Sequence, residues 1–368
     1  MSSVINNLLK ILQKNKVEFF TGVPDSVLKP LSIKLSKMSK KKHIITANEG
    51  GAVSLATGYN LATDKMALVY LQNSGLGNII NPITSMIHKN IYRIPMLLFI
   101  GWRGAPGLSD EVQHEVQGKI TLKQLKLLNI PYKIFSKKNY SKQLVELIKL
   151  SKKYNQPTAF IFKKNDLENT NVNKKNNFKK INSILRSDFI SELIKQAKSS
   201  RIIATTGFTS RELFQIRKNN KLINSKDFYM VGAMGHSSMV ALGYSLKSKK
   251  KIICLDGDGS FLMHLGSSVI TANYSNKNFK YILLNNSCHE SVGGQPTSIG
   301  KVNLNKFVNS IGYEKYFSLD KKKNTKKTIN KFMKSKKLSF LNVKIQKGTM
   351  KNLLRIKDLM QVKSNFKI

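Results

Sequence analysis

Ile252-Ile253-Cys254-Leu255-Asp256-Gly257-Asp258-Gly259-Ser260 is followed, a helix and a strand later, by Tyr281-Ile282-Leu283-Leu284-Asn285-Asn286. Each stretch is an apolar run ending in small or polar residues. Such runs read as buried strands, and their carboxyl ends are where open α/β sheets bind ligands. Gly257 and Gly259 allow main-chain N–H groups to approach a phosphate closely, and Ser260 adds a hydroxyl. Asp258 and an asparagine amide supply hard oxygens, which suit Mg²⁺ shared with phosphate oxygens. Gly-Asp-Gly alone is common in turns; paired with Asn-Asn after a second strand it describes a clamp for a metal-bound diphosphate.

The 368-residue chain is long enough for two domains, and its hydrophobic content of 41% is that of a globular protein. Two cysteines, Cys254 and Cys288, cannot build a disulfide framework, and the first lies in a strand pattern, so a reducing cytoplasm is expected. The first residues lack a basic-then-apolar signal pattern, and the apolar runs are too short to cross a bilayer, so no membrane partner is expected. The formal net charge of +43 raises the possibility of a nucleic-acid partner. The lysines are spread along the chain and seldom interleaved with aromatics, however, which reads as solvated faces and no nucleic-acid stripe. A basic surface also steers anionic substrates inward.

Strand-like runs at 17–21, 43–46, 66–71, 95–101 and 158–162 alternate with helical patterns at 4–13, 50–62 and 143–152. A polar Asn/Lys-rich stretch then interrupts the alternation, which resumes with strands at 201–205, 228–231, 251–255, 280–284 and 339–345. Strands separated by helices imply parallel sheets covered on both faces. The expected fold is α/β: two doubly wound parallel-sheet domains, 1–165 and 183–368, joined by a polar linker at 166–182, with no middle domain.

The Gly257-to-Asn286 arrangement resembles the diphosphate-binding signature of thiamine-diphosphate enzymes. That resemblance implies Mg²⁺ ligation by Asp258, Asn286 and the Cys288 carbonyl. The stretch from Glu49 to Tyr59, taken alone, reads as an acid opening a helix of small residues. It also resembles the pyrimidine-domain motif of the same family, in which this glutamate bonds the aminopyrimidine and promotes its imino form. Gly232-Ala233-Met234-Gly235-His236 is similar to the segment that holds the cofactor bent: Gly232 would accept from the exocyclic amine, and Met234 would wedge between the rings. Thr206, Gly207 and Thr209 follow a strand and suit a phosphate at a helix start, or a simple cap.

Three further stretches resemble the phosphonopyruvate decarboxylases and their sulfopyruvate relatives: Thr21-Gly22-Val23-Pro24-Asp25-Ser26, the run from Gly101 through His114 to Thr121, and the run from Asn285 to Thr297. The resemblance covers nearly the whole chain except the linker and the C-terminal tail. Such relatives carry Gly-Ala and then His-Asp after the asparagines, where this chain has Ser287-Cys288 and His289-Glu290. Asp25 reads as a helix cap, and by the resemblance as an acid/base group. His114 and His289, placed in Gly-rich or polar loops, become candidates to relay a proton or bind the substrate anion. Arg103 offers a planar fork for that anion, or is structural. His43, His88 and His264 read as structural.

The resemblance implies a carboxy-lyase that uses thiamine diphosphate and Mg²⁺. Its substrate would be a small anionic 2-oxo acid: 3-phosphonopyruvate, converted to phosphonoacetaldehyde and CO₂ in phosphonate biosynthesis, or alternatively sulfopyruvate. It also implies a homodimer or larger homo-oligomer with sites at the subunit interface. A lysine-rich nucleic-acid binder on an inactive scaffold is the remote alternative, against which Glu49, Asp258 and Asn286 stand together.

Overall fold

The computed structural model describes residues 4–167, 183–197, 199–221 and 226–366. The chain forms two compact units, Met1–Lys174 with Val292–Gln295, and Lys175–Ser291 with Pro296–Ile368. The polar linker expected at 166–182 lies, from 168 onward, outside the described residues.

The first unit holds six strands: β1 (Phe20–Gly22), β2 (His43–Ile45), β3 (Ala67–Gln72), β4 (Met96–Gly101), β5 (Tyr132–Ile134) and β6 (Pro157–Phe162). They pair in parallel in the order β2-β1-β3-β4-β6-β5. The central strands are apolar throughout because both faces are covered. On β4, Met96, Leu98 and Ile100 enter one core cluster while Leu97 and Phe99 enter the other. Helices supply the cover. In Val4–Lys14, the residues Val4, Ile5, Leu8 and Leu12 form one buried stripe at helical spacing.

The second unit repeats the plan with β7 (Arg201–Ala204), β8 (Phe228–Tyr229), β9 (Ile252–Gly257), β10 (Phe279–Asn285) and the strands Lys315–Leu319 and Ser339–Lys344. From one edge the order is β8, β7, β9, β10, Ser339–Lys344, Lys315–Leu319. Counted within its own unit, each sheet therefore has the same order, although no repeat is visible in the residues. In both, the first strand lies between the second and the third, so chain direction across the sheet reverses there. The crevice at the carboxyl ends beside such a reversal is the usual ligand position. The stretch 163–185 between the sheets is too short to hold a further domain.

Three elements were not legible as apolar periodicity. β5 and Lys315–Leu319 are edge strands whose residues, Leu319 apart, are exposed or half-buried, so they carry no continuous apolar run. Helix Val112–Leu127 buries only Gly118, Thr121 and Leu125, a face with a single apolar side chain. His114 consequently stands in the first turn of a helix, where a loop was expected.

Candidate active site

In the first unit the candidate residues follow the carboxyl ends of three strands of one sheet: Asp25 after β1, Glu49 after β2 and Arg103 after β4. Glu49 opens helix Glu49–Thr63, whose start is capped by Asn48 Oδ1 accepting from Gly51 N (2.8 Å). Its side chain is buried, and Asn78 Nδ2 donates to Oε2 (2.7 Å). The carboxyl group lies over Gly75, where a Cβ would come within 2.5 Å of Glu49 Cδ. Asn78 and Gly75 were not singled out from the residues. Their signal was position, immediately after β3 on the same edge.

Asp25 is fully buried and accepts from Leu28 N at Oδ2 (2.8 Å), while Oδ1 has no hydrogen-bond partner among the described residues. The bond to Leu28 N ties Asp25 to the residue before helix Lys29–Leu35, whose N-cap position is Leu28 and not Asp25. Burial raises its pKa to about 6, against the Leu28 N–H and the Arg103 charge. Gly101 permits this placement, since a Cβ there would lie 2.0 Å from Asp25 Oδ2.

The Arg103 fork is engaged. Nε and Nη2 donate to Asp110 (2.7 and 2.5 Å), and Nη1 donates to Ser26 Oγ (2.9 Å). Against the cost of burial, this pairing holds Asp110 below the ordinary carboxylate range. Any anion meets a guanidinium already shared with Asp110. Arg103 is itself fixed through its main chain, because Asn73 Oδ1 accepts from Arg103 N (3.1 Å) and Asn73 Nδ2 donates to Arg103 O (2.8 Å). Gly104 and Gly118 meet at a separation no Cβ would allow, 1.7 Å from Gly104 O, which seats the helix of His114 against this loop. Burial, and then the Arg103 charge, lower the His114 pKa to about 4, so the ring is neutral at pH 7.

The second unit gathers the remaining candidates at its own carboxyl edge. Gly207 starts helix Phe208–Asn219 at φ +88°, with Thr206 half-buried beside it and Thr209 buried in the first turn. Ser260 Oγ accepts from Gly235 N and from Thr205 Oγ1 (both 3.0 Å), which ties the Gly232–Gly235 loop to the end of β9. In that loop Ala233 and Gly235 adopt φ +52° and +89°. Met234 and His289 converge on Gly259, where a Cβ would meet His289 Nδ1 at 2.9 Å and Met234 Cε at 3.2 Å. Burial lowers the His289 pKa to about 4.

Asp258 is buried at a helix start and accepts from Thr297 Oγ1 (2.7 Å). Burial raises its pKa to about 6, against the Thr297 hydroxyl and the Gly259 N–H. Asn286 Oδ1 accepts from Cys288 N (3.1 Å), and Asn286 Nδ2 donates to Glu290 Oε2 (2.9 Å). Ser287, between them, has φ +57°, a conformation that favours glycine; it is steadied by its N and Oγ donating to Asn285 Oδ1 (3.1 and 3.2 Å). The Cys288 side chain is buried, with its thiol pushed up to about 11 by that burial. Among the described residues, no three His, Cys, Asp or Glu side chains converge as a metal site. A donor set of one carboxylate, one amide and one main-chain carbonyl is of a different kind.

Residues 3–127 match the N-terminal thiamine pyrophosphate binding domain of thiamine pyrophosphate enzymes, and residues 203–343 match the C-terminal one. The chain is 30% identical to a phosphonopyruvate decarboxylase of Streptomyces viridochromogenes, over 79% of this chain and 76% of that protein. This chain belongs to the thiamine pyrophosphate-dependent decarboxylases. It is also 29% identical to a phosphonopyruvate decarboxylase of Streptomyces hygroscopicus, over 79% of this chain and 75% of that one. A sulfopyruvate decarboxylase of Methanosarcina acetivorans is 24% identical over 93% of this chain and 91% of its own length. The two matched stretches cover the two parallel sheets of this chain. Among the described residues, no helix is long and apolar enough to cross a membrane.

The residues fit the family's cofactor. Gly207 opens helix Phe208–Asn219 with the nearest side-chain atom 3.6 Å from where a Cβ would stand, so its main chain is accessible at a helix start, which suits a diphosphate. The oxygens of Asp258, Asn286 and residue 288 are hard donors appropriate to a small divalent cation.

Proposed function

We propose that this enzyme decarboxylates 3-phosphonopyruvate to phosphonoacetaldehyde and CO₂, with thiamine diphosphate held through Mg²⁺. The similarity to two phosphonopyruvate decarboxylases, over most of this chain and of theirs, carries this reading. In the reaction the bond between the carboxyl and keto carbons breaks and CO₂ leaves. The electron pair stays on the former keto carbon, which then takes a proton to become the aldehyde. The cofactor supplies the electron sink for that step.

The chain's own residues would do the rest. Glu49 holds the pyrimidine end, with Asn78 fixing one of its carboxyl oxygens. Asp258, Asn286 and the Cys288 carbonyl hold the cation, while Thr206, Gly207, Thr209, Gly257, Gly259 and Ser260 cradle the phosphates. Gly232 and Met234 set the cofactor's bend. Asp25, with a pKa of about 6 and a bare Oδ1, suits proton delivery near neutral pH. Neutral His114 and His289 are hydrogen-bonding groups for substrate or proton relay, and Arg103, braced by Asp110, supplies positive charge to the phosphonate. We further propose a cytoplasmic homodimer or larger homo-oligomer. In support, helices Ser237–Ser245 and Gly266–Tyr274 of the second unit expose Met239, Val240, Val269, Ile270 and Tyr274, an apolar patch that suits a second copy.

The test is aldehyde and CO₂ release from 3-phosphonopyruvate, with and without thiamine diphosphate and Mg²⁺, with sulfopyruvate in parallel. Turnover of phosphonopyruvate that requires both additions is expected. Turnover of sulfopyruvate alone would reassign the substrate. The Asp258→Ala variant should keep its fold by circular dichroism and lose Mg²⁺-dependent cofactor binding.

A further inference from the structure

Glu290 follows the candidate ligand segment Asn286–Cys288, and the structure shows what its side chain reaches. Its Oε2 accepts from Arg186 Nη2 (2.6 Å) and from Asn286 Nδ2 (2.9 Å), while its Oε1 accepts from the main-chain N–H of Gly348. Arg186 is 5% exposed and also donates to Glu212 Oε1 (3.3 Å), itself 1% exposed. Glu212 Oε1 in turn accepts from Thr349 Oγ1 (2.7 Å) and Met350 N (3.1 Å). Further along, Leu354 N donates to Gln215 Oε1 (2.9 Å), and Arg211 Nη2 donates to Leu353 O (2.6 Å). The segment 348–354 is thus laced to helix Phe208–Asn219 on one side and, through one carboxylate, to the Asn286 amide on the other.

This segment lies beyond residue 343, where the family match ends. The Glu290 carboxylate is spanned by three donors, one of them a buried guanidinium. Both of its oxygens are engaged as acceptors. By accepting from Nδ2 it fixes which end of the amide Asn286 presents as oxygen, since an amide can otherwise be turned end for end. Partners behind a metal ligand set its orientation and change metal affinity by about 10- to 100-fold when removed.

We propose that Glu290 is a positioning residue that couples the C-terminal segment 348–354 to the amide of Asn286, so that the tail and the divalent cation stabilise one another. This rests on the reading of Asn286 as a cation ligand. By linkage the coupling is reciprocal: ordering the tail tightens cation binding, and the cation protects the tail.

Two measurements test it. The first is hydrogen exchange of the amides of 348–354 in the unaltered full-length protein, without and with thiamine diphosphate and Mg²⁺. Exchange slowed roughly tenfold or more by the pair is expected; unchanged exchange overturns the coupling. The second is calorimetric titration of Mg²⁺ in saturating thiamine diphosphate for the parent, Glu290→Gln and Asn286→Ala, each checked for fold by circular dichroism. Asn286→Ala should weaken Mg²⁺ strongly, and Glu290→Gln by about tenfold, with the cation's protection of the tail lost. If Asn286→Ala weakens Mg²⁺ while Glu290→Gln stays within twofold, the positioning role is wrong and the ligand reading stands. If Asn286→Ala leaves Mg²⁺ affinity unchanged, the ligand reading itself fails. Should Glu290→Gln not fold, the exchange measurement on the parent decides alone.

Discussion

Glu49 occupies a position that two neighbours make possible: Gly75 leaves room for its carboxyl group, and Asn78 holds one oxygen at 2.7 Å. Glu49→Gln keeps the shape and removes the acid. Cofactor affinity should change little, because the residues proposed to hold the phosphates and the cation lie on the second unit. Deuterium exchange at the thiazolium carbon of the bound cofactor, followed by acid quench and NMR, should slow by about two to four orders of magnitude. Parent-like exchange would reduce Glu49 to a helix-start acid. Asp25 makes a separate prediction about stability. Its pKa is raised from 3.8 to about 6, chiefly by burial, so the folded state holds the proton more tightly than the unfolded chain. The stability it contributes is full below the unfolded value and is lost as pH rises through about 6. Between pH ~4.5 and ~7.5 this loss is about 2 kcal/mol. Urea unfolding of Asp25→Asn, compared with the parent at both pH values, should therefore show the variant gaining about that much relative to the parent at the higher pH.

At the level of elements, helix Val112–Leu127 is held by the Gly104–Gly118 contact, with Trp102 Nε1 donating to Gly118 O (2.9 Å). The loop it covers carries Arg103 and Asp110, and its own first turn carries His114. Gly118→Ala places a methyl group against a main-chain carbonyl and should cost about 1–3 kcal/mol. Trp102 is the chain's one tryptophan, so its fluorescence should report the displaced seam directly. The loss in kcat/KM should exceed what partial unfolding explains, because Arg103 and His114, proposed to meet the substrate, shift with this seam. Unchanged fluorescence and melting temperature would mean the seam is looser than its geometry.

Across the whole molecule, Lys and Arg number 63 against 20 Asp and Glu. Such a surface attracts a multiply charged anion, and salt screens the attraction over a Debye length of about 10 Å at 0.1 M. Raising salt from ~0.05 to ~0.3 M should raise KM for phosphonopyruvate severalfold and leave kcat nearly constant. A matched neutral 2-oxo acid should show no such trend. Salt-independent KM would mean the lysines serve only as solvated faces.

The apolar runs of β3, β4, β9 and β10 named their own strands, because a strand covered on both faces must be apolar along its length. The small and polar residues that end those runs, Gly257 to Ser260 and Asn285-Asn286, marked the carboxyl ends of β9 and β10 for the same local reason. The residues alone also carried the family. What they could not carry depends on contacts between distant positions. The helix beginning at Val112 shows no apolar stripe, because its buried face meets another glycine. The Arg103 fork is committed to Asp110, and only folding brings Asn78 to Glu49 and Gly348 to Glu290. The shared strand order of the two units is likewise invisible in the chain, since many sequences satisfy one burial pattern. Local chemistry is written residue by residue; which partner each buried polar group finds is decided by the packing of elements far apart in the chain.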